Sequence, residues 1–366
     1  MNTKTIAYYV SDYGYGHATR SIAVIRALLQ VAEQSYRLVL CSSDKVLAFM
    51  QASLSGYQGI IQYRRCISDV GYVLQPDSIE PDTVAFAAKY HGYMENLPYE
   101  AAREADFLRT AEVNLVISDI SPIAFAAAKQ AEIPSLGISN FTWYTAYLEM
   151  INHSALQPLF AVYAAMDYFV RLEGAFEPNW GQRGTFQADF FNREVDQQEV
   201  SRILQTINPG RQKRVVYFGI GMSINVQELA ALKLWEDDAC LFIVSSNMKV
   251  EHKNIIAIPA SYTESQNYVA ASDLVISKPG WSTVGEAVAL WKPLLLLHRS
   301  KMKEDKNTIR ALQDRHPYRM IEWGQLMADN MHDFIDREHF FEDTRQRNGA
   351  VHIAEYLKQI VGSELG

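Results

Sequence analysis

Residues 272–297 read SDLVISKPGWSTVGEAVALWKPLLLL, and this stretch leaves little choice of local structure. The apolar run Leu274 to Ile276 is short and bounded by Pro279-Gly280, the pattern of a buried strand that ends in a turn. From about Ser282 to Leu290 the pattern is helical, and Lys292-Pro293 then leads into a second apolar strand. The unit is strand, turn, helix, strand. Gly280 offers the turn a backbone that residues with a Cβ resist, while Ser282 and Thr283 bring hydroxyls and amides to the helix start. The first amides of a helix lack intrahelical partners and carry the positive end of its dipole, so such a start is a seat for phosphate. Glu286, one turn further in, faces the same mouth as an acceptor for paired sugar hydroxyls. It fits equally as an acid that the dipole favours in the first turns.

The order of Gly280, Ser282, Thr283 and Glu286 resembles the donor-binding signature of nucleotide-sugar glycosyltransferases of the GT-B fold, the MurG-like and UDP-glycosyltransferase families among them. The resemblance implies an α/β architecture of two Rossmann-like, doubly wound parallel-sheet domains facing a cleft. It also implies that Pro279, Gly280, Trp281, Ser282 and Thr283 approach the diphosphate and that Glu286 holds the ribose diol.

At 366 residues the chain exceeds the size at which single cores stop growing, so two domains are expected. A hydrophobic share of 48% supports full burial. The formal net charge of −8 argues against a nucleic-acid surface, which needs concentrated Lys and Arg. Arg299, Lys301, Lys303 and Lys306 could still meet a small anion, or form a solvated loop. The cysteines Cys41, Cys66 and Cys240 show no CxxC pairing and read as buried free thiols of a reducing cytosol. The N-terminal MNTKTIAYYV has no long apolar signal core, and no stretch reaches membrane-spanning length, so a cytoplasmic protein is expected. Peripheral membrane contact stays open, and the sequence is silent on oligomeric state.

In chain order, Ile6 to Val10 reads as a strand, SDYGYGH as a turn and Ala18 to Val31 as a helix with Ile22, Ile25 and Leu29 at helical spacing. As a dinucleotide fingerprint the GxG is incomplete: Thr19 replaces the third glycine, and Asp44 lies too far along to be the ribose acid. Strands at Arg37 to Cys41, Gly59 to Tyr63, Leu115 to Ile117, Ser135 to Ile138 and Tyr168 to Leu172 alternate with helices. The helical region from Glu80 to Ala111 carries Tyr90, His91, Tyr93 and Tyr99, aromatics that suit core packing or a substrate platform. Asn140 to Tyr144 opens a helical stretch to about Ala165. Between Glu173 and Asp196 periodicity is lost, which places the domain boundary there. The first domain is expected over residues 1–185 and the second over residues 186–343, and the GT-B resemblance implies that a terminal helix in residues 344–366 crosses back to the first. The second half repeats the pattern, with strands near Arg214 to Phe218, Leu241 to Ser245, Ile255 to Ile258 and Tyr318 to Ile321, and a loop at Gly219 to Ser223.

Sugar transfer to a hydroxyl needs a base for the acceptor proton. His17 can accept a proton at neutral pH and sits in a turn at the carboxyl edge of the sheet; a histidine there can also be merely structural. Asp119 ends another strand at the same edge, where a carboxylate fixes an imidazole's tautomer and stabilises its cation. Asp119 also reads as an acid before a helix that Ser121 caps and Pro122 begins. Tyr15, Gly16, Asn140 and Trp143 face that edge as the acceptor side.

The glycine-and-histidine turn and Asp119 resemble the base pair of UDP-glycosyltransferases, whereas DYGYGH departs from the GGxGGH of MurG-like enzymes. YGYGHATR, VISDISP and SNFTWY resemble the glycosyltransferase-like domain at the front of L-arabinokinases, whose kinase portion is not expected in this chain. On the donor side the resemblance places Gly219, Gly221, Met222 and Ser223 at the phosphates. It puts Tyr262 at the base, where it could also be a loop aromatic, and Glu304 and Asp305 at the sugar hydroxyls, where they also fit a helix start. No DxD, HxxxH or CxxC is present, so no metal and no cofactor beyond the nucleotide-sugar co-substrate is expected. The expected activity is inverting, metal-independent transfer of a hexose or N-acetylhexosamine from a nucleotide-diphosphate sugar, with UDP favoured, to a small-molecule acceptor. A nucleotide-sugar 2-epimerase and a silent nucleotide-sugar-binding module are the alternatives.

Overall fold

The computed structural model describes residues 3–32, 36–75, 81–220, 226–299, 302–328, 331 and 349–364. They form two parallel sheets in two compact units, one made of Met1–Leu74, Pro81–Asp189 and Asn348–Gly366, the other of Gln75–Glu80 and Phe190–Arg347.

In the first unit, β1 (Lys4–Val10), β2 (Tyr36–Ser42), β3 (Ile61–Arg65), β4 (Val113–Asp119), β5 (Ser135–Ser139), β6 (Tyr168–Leu172) and β7 (Gly184–Ala188) stand in the order β3-β2-β1-β4-β5-β6-β7. Their central strands are apolar without alternation because helices cover both faces: Ile6 to Val10 in β1 are all fully buried. The order runs outward in both directions from the β1/β4 pair. Connections therefore leave to opposite sides there, and the carboxyl ends of these two strands border a crevice.

The second unit repeats the plan. β8 (Arg214–Gly219), β9 (Cys240–Val244), β10 (Ile255–Ala257), β11 (Leu274–Ser277), β12 (Leu294–Leu297) and β13 (Tyr318–Ile321) stand in the order β10-β9-β8-β11-β12-β13, again all parallel. Its switch point lies between β8 and β11, and one face of its core gathers Phe218, Trp235, Phe242 and Ile276.

Several expectations change. The division expected after residue 185 falls inside β7, a short edge strand of half-exposed residues that lacks the apolar run of a central strand. The segment expected as linker up to Asp196 ends in a helix cap: the Asp196 carboxylate accepts from the amides of Gln198 and Glu199 and opens the helix Gln197–Ile207. The long helix expected from Asn140 is two, Trp143–Ala146 and His153–Tyr163, because Asn152 caps a fresh start by accepting from Ser154 N. Ser121 stands at the cap position before Pro122, yet its hydroxyl donates to Ser68 O and makes no cap bond. In the first helix, Tyr15–Val31, fully buried Leu28 completes the apolar face, and Leu29 is half-buried. The three cysteines are buried free thiols, and burial pushes Cys41 up to about 12. No described helix is long and apolar enough to cross a membrane.

The helix Gly349–Glu364 packs on the helix Tyr15–Val31 and on β7, with Tyr356 stacked on Phe186 at 4.9 Å and Ile353, Ala354 and Leu357 fully buried. Leu357→Ala is expected to lower the stability of the first unit by about 2–5 kcal/mol, read as a lower denaturant midpoint.

Candidate functional site

The turn after β1 places the first group. Gly14, at the cap of the helix Tyr15–Val31, has φ of 80°, a conformation a Cβ disfavours, and the chain there turns sharply from strand to helix. His17 lies in the first turn of that helix. Asp119 is the last residue of β4, in register with Val10 at the end of β1, so the switch point brings the two side chains together. His17 Nδ1 is 2.9 Å from Asp119 Oδ1, and both residues are buried.

Arg20, three residues beyond His17 and on the same helix face, completes the group. Its Nε donates to Asp119 Oδ2 at 2.6 Å and its Nη2 to Oδ1, a bidentate pair. Nη1 donates to Asn140 Oδ1 at 2.7 Å and Nη2 to Ser139 Oγ at 3.0 Å, and the Ser21 hydroxyl reaches Oδ2 at 3.3 Å. Arg20 Nη2 is also 2.9 Å from His17 Nδ1. Each terminal guanidinium nitrogen carries two hydrogens, and those of Nη2 are taken by Asp119 and Ser139. The hydrogen between His17 and Asp119 is therefore on Nδ1, and the lone pair is on Nε2, which has no hydrogen-bond partner among the described residues.

The charges follow from this arrangement. For Asp119, burial alone would raise the pKa, but Arg20 and then His17 outweigh it and hold the carboxyl at about 2. His17 is lowered from 6.5, first by burial, against the pull of Asp119 and with the help of Arg20. The imidazole is neutral at pH 7. Around it Phe141 and Trp143 stand at 5.9 and 6.3 Å between ring centres, while Tyr15 packs on Phe49 with Lys45 over its ring. Gly16 is exposed, its carbonyl taken by Thr19. Asn140, Trp143, Asp119 and His17 are thus gathered at one edge; Tyr15 lies to the side of it, against the following helix.

In the second unit, β11 ends at Ser277, whose hydroxyl donates to Gly219 O across the β8/β11 switch point. Pro279 and Gly280 follow, and the helix Trp281–Ala289 begins. Gly280 has φ of −69°, which any residue adopts, so the expected need for a strained turn there is corrected. Ser282 and Thr283 stand half-buried in its first turn. Trp281 is turned inward onto Phe190 and Phe191. Lys278, just past the strand, is lowered to about 8, first by burial and then by the Arg299 cation, with Asp305 and Glu304 opposing.

Glu286 is buried and accepts from Arg193 Nη2 at 3.0 Å. Arg193 also donates to Ser265 Oγ at 3.0 Å and Thr263 O at 2.5 Å. Burial raises the Glu286 pKa against this cation. Asp305 is buried in the first turn of the helix Lys303–Leu312, held by Arg299 through two bonds of 2.6 Å, and Glu304 is half-buried beside it. Tyr262 accepts from Asn267 Nδ2 at 3.0 Å and packs on Tyr268. Gly221, Met222 and Ser223 lie outside the described residues. Sequence reasoning missed Arg20, Lys278 and Arg193. Arg20 was legible as the helical i+3 neighbour of His17 and Lys278 as the residue leaving β11, but nothing local marks Arg193.

No protein-family model matches the chain. L-arabinokinase of Arabidopsis thaliana is 26% identical over 309 residues, and the match covers 82% of this chain but 28% of that protein. Among solved structures, UGT89C1 of Arabidopsis thaliana in complex with UDP superposes with a TM-score of 0.62 at 13% identity, over all of both chains. The glycosyltransferase SnogD from Streptomyces nogalater gives 0.59 at 12%, over 99% of this chain and all of its own. The fold is GT-B. At these identities the likeness is one of architecture.

Because Arg20 both pairs Asp119 and depresses His17, Arg20→Met is expected to remove about 3–5 kcal/mol of stability. In the folded fraction the His17 pKa rises, which a proton NMR titration reads; an unchanged His17 would contradict the assignment.

Proposed function

We propose that this protein is a glycosyltransferase that moves a hexose or N-acetylhexosamine from a nucleotide-diphosphate sugar, with uridine as the base, to a hydroxyl of a small-molecule acceptor. The observation that carries the reading is the His17–Asp119 pair at the first switch point, with the His17 lone pair on Nε2. Nε2 takes the acceptor proton, Asp119 stabilises the imidazolium that forms, and the acceptor oxygen attacks the anomeric carbon opposite the nucleotide. A single displacement of this kind inverts the anomeric configuration.

The second unit supplies the donor side. The helix start at Trp281 and the amine of Lys278 take the diphosphate charge, so the leaving group departs without a metal ion. The free oxygen of Glu286 accepts from a ribose hydroxyl while Arg193 holds the other. That a structural neighbour is complexed with UDP, and another crystal of the same protein with quercetin, supports both the base and the small-molecule acceptor.

One observation favours a second reading. Glu286 is already engaged by Arg193, and the plant relative matches over the part of its length outlined above, so the unit could bind a nucleotide sugar without turning it over. Calorimetric titration with UDP-, TDP- and GDP-sugars separates the outcomes. Tight binding of one class, weakened in Glu286→Ala, supports the donor site; binding of none contradicts it.

Where an acceptor is turned over, His17→Ala is expected to lower kcat by about 10²–10⁴ with UDP affinity unchanged. Because burial lowers the His17 pKa from 6.5, kcat/KM should be level through neutral pH and fall only below about 6.5. An acid limb above pH 7 would rule out His17 as the base.

A further inference from the structure

The turn that carries the chain out of β4 is strained. Ile120 has φ of 56°, and among the described residues it is the one β-branched side chain in the left-handed region. Its Cβ crowds the following carbonyl there, so an isoleucine adopts this conformation where its surroundings impose it. Glu112 and Glu132 share the region, but they stand at helix C-termini, where a left-handed residue is common. Ile120 instead stands between a strand and a helix, next to the acid that bonds His17.

The sequence puts the whole change of direction on this residue. Asp119 is still in strand register with Val10, and Pro122 begins the helix Pro122–Ala131. A residue before proline is pushed to extended backbone, as Ser121 is, with φ of −66° and ψ of 114°. Ile120 alone is left to turn the chain, and its side chain is buried. Bonds from several elements hold the turn: Asp119 O accepts from Ser11 N at 3.3 Å, Ile120 O from the Tyr163 hydroxyl at 2.6 Å and Ser121 O from the Ser118 hydroxyl at 3.0 Å, while Ser121 Oγ donates to Ser68 O at 2.8 Å. Strain persists where the surroundings over-determine it, and such residues cluster at functional sites. Of these bonds, the one from Tyr163 fixes Ile120 itself. Tyr163 is fully buried, and with its hydrogen on Ile120 O its oxygen accepts from Trp143 N at 3.3 Å. One hydroxyl thus ties the Asp119 turn to the residue that borders the His17 ring.

We infer that Ile120, kept left-handed by the Tyr163 hydroxyl, is a positioning residue that aims the Asp119 carboxylate at Nδ1 of His17. With β4 fixed on one side and the helix on the other, relaxing Ile120 to negative φ rotates the peptide between Asp119 and Ile120. The rotation takes Asp119 O off Ser11 N and turns the carboxylate away from the ring it now meets at 2.9 Å. Hydrogen bonds weaken steeply with misalignment, and which ring nitrogen holds the hydrogen is set by the bond the ring makes. Arg20 bonds the same carboxylate and is the alternative source of its aim, so the two have to be separated by experiment. That Asp119 serves a catalytic base rests on the glycosyltransferase reading; that the turn aims it does not.

The test is nitrogen-15 NMR of His17 at pH 7 in the full chain, native and variant, with UDP-sugar binding followed separately by calorimetry. Tyr163→Phe removes the hydroxyl and keeps the ring. In this variant the His17 hydrogen should leave Nδ1 for Nε2, and the His17 pKa should fall, since the pull of Asp119 raises it. Adding Ile120→Gly removes the strain that drives the turn to relax, and the remaining bonds then select the native turn. Tyr163→Phe with Ile120→Gly should therefore regain the native Nδ1–H signal, although it loses a buried side chain. Tyr163→Phe with Ile120→Ala loses nearly the same packing but keeps a Cβ, and should not regain it. A folded Tyr163→Phe with the native His17 signal would overturn the inference and leave the aim of Asp119 to Arg20. Equal behaviour of the glycine and alanine pairs would overturn it too, by assigning the effect to packing. If either pair does not fold, Tyr163→Phe alone decides. Should no UDP-sugar bind, the transferase reading fails while the positioning of Asp119 stands or falls on the NMR result.

Discussion

The ion pair between Arg20 and Asp119 is the interaction on which the first unit's polar cluster depends. Two opposite charges are withdrawn from water at the switch point, and such a pair holds only when its geometry and its remaining hydrogen bonds are satisfied. They are satisfied here by Ser21 and His17 from the helix after β1, by Ser139 at the end of β5 and by Asn140 just past it. The consequence for His17 is specific. Asp119 keeps its charge, so it fixes the imidazole tautomer, but burial first and then Arg20 oppose its pull, so the imidazole is not made a stronger base. The ring stays neutral and ready at pH 7.

The second unit uses the same device. Glu286 is buried against Arg193 as Asp119 is against Arg20, and each acid stands near the switch point of its sheet. The effects differ because the partners come from different places. Arg20 belongs to the helix that carries His17, whereas Arg193 comes from the segment just after Asp189, which also packs Phe190 and Phe191 onto Trp281. In Gly285, an added Cβ would meet Phe191 O at 3.1 Å, so the close approach of this segment is built into the helix sequence.

The parts of this structure that follow from local pattern were legible in the sequence. Tyr168 to Leu172 reads as a strand and is one, because a central parallel strand needs an unbroken apolar run. β7 and the Asn152 break were not legible: an edge strand carries no such run, and a cap inside a long apolar stretch is set by one side-chain oxygen. His17 and Asp119 could be paired on paper because both end on the same sheet edge. Arg193 could not, since its role arises from burial against distant segments, and a lone charge in a loop has no period to betray it. Gly280 shows the opposite error, a glycine read as a strained turn that the backbone does not require.

The proposed chemistry depends on the protonation of one ring, and nitrogen-15 NMR of His17 at pH 7 tests it most directly. The geometry predicts a neutral imidazole with its hydrogen on Nδ1, bonded to Asp119, and an unprotonated Nε2. A hydrogen on Nε2, with Nδ1 accepting from Arg20, would contradict it: the ring would then have no lone pair to offer an acceptor, and His17 could not be the base.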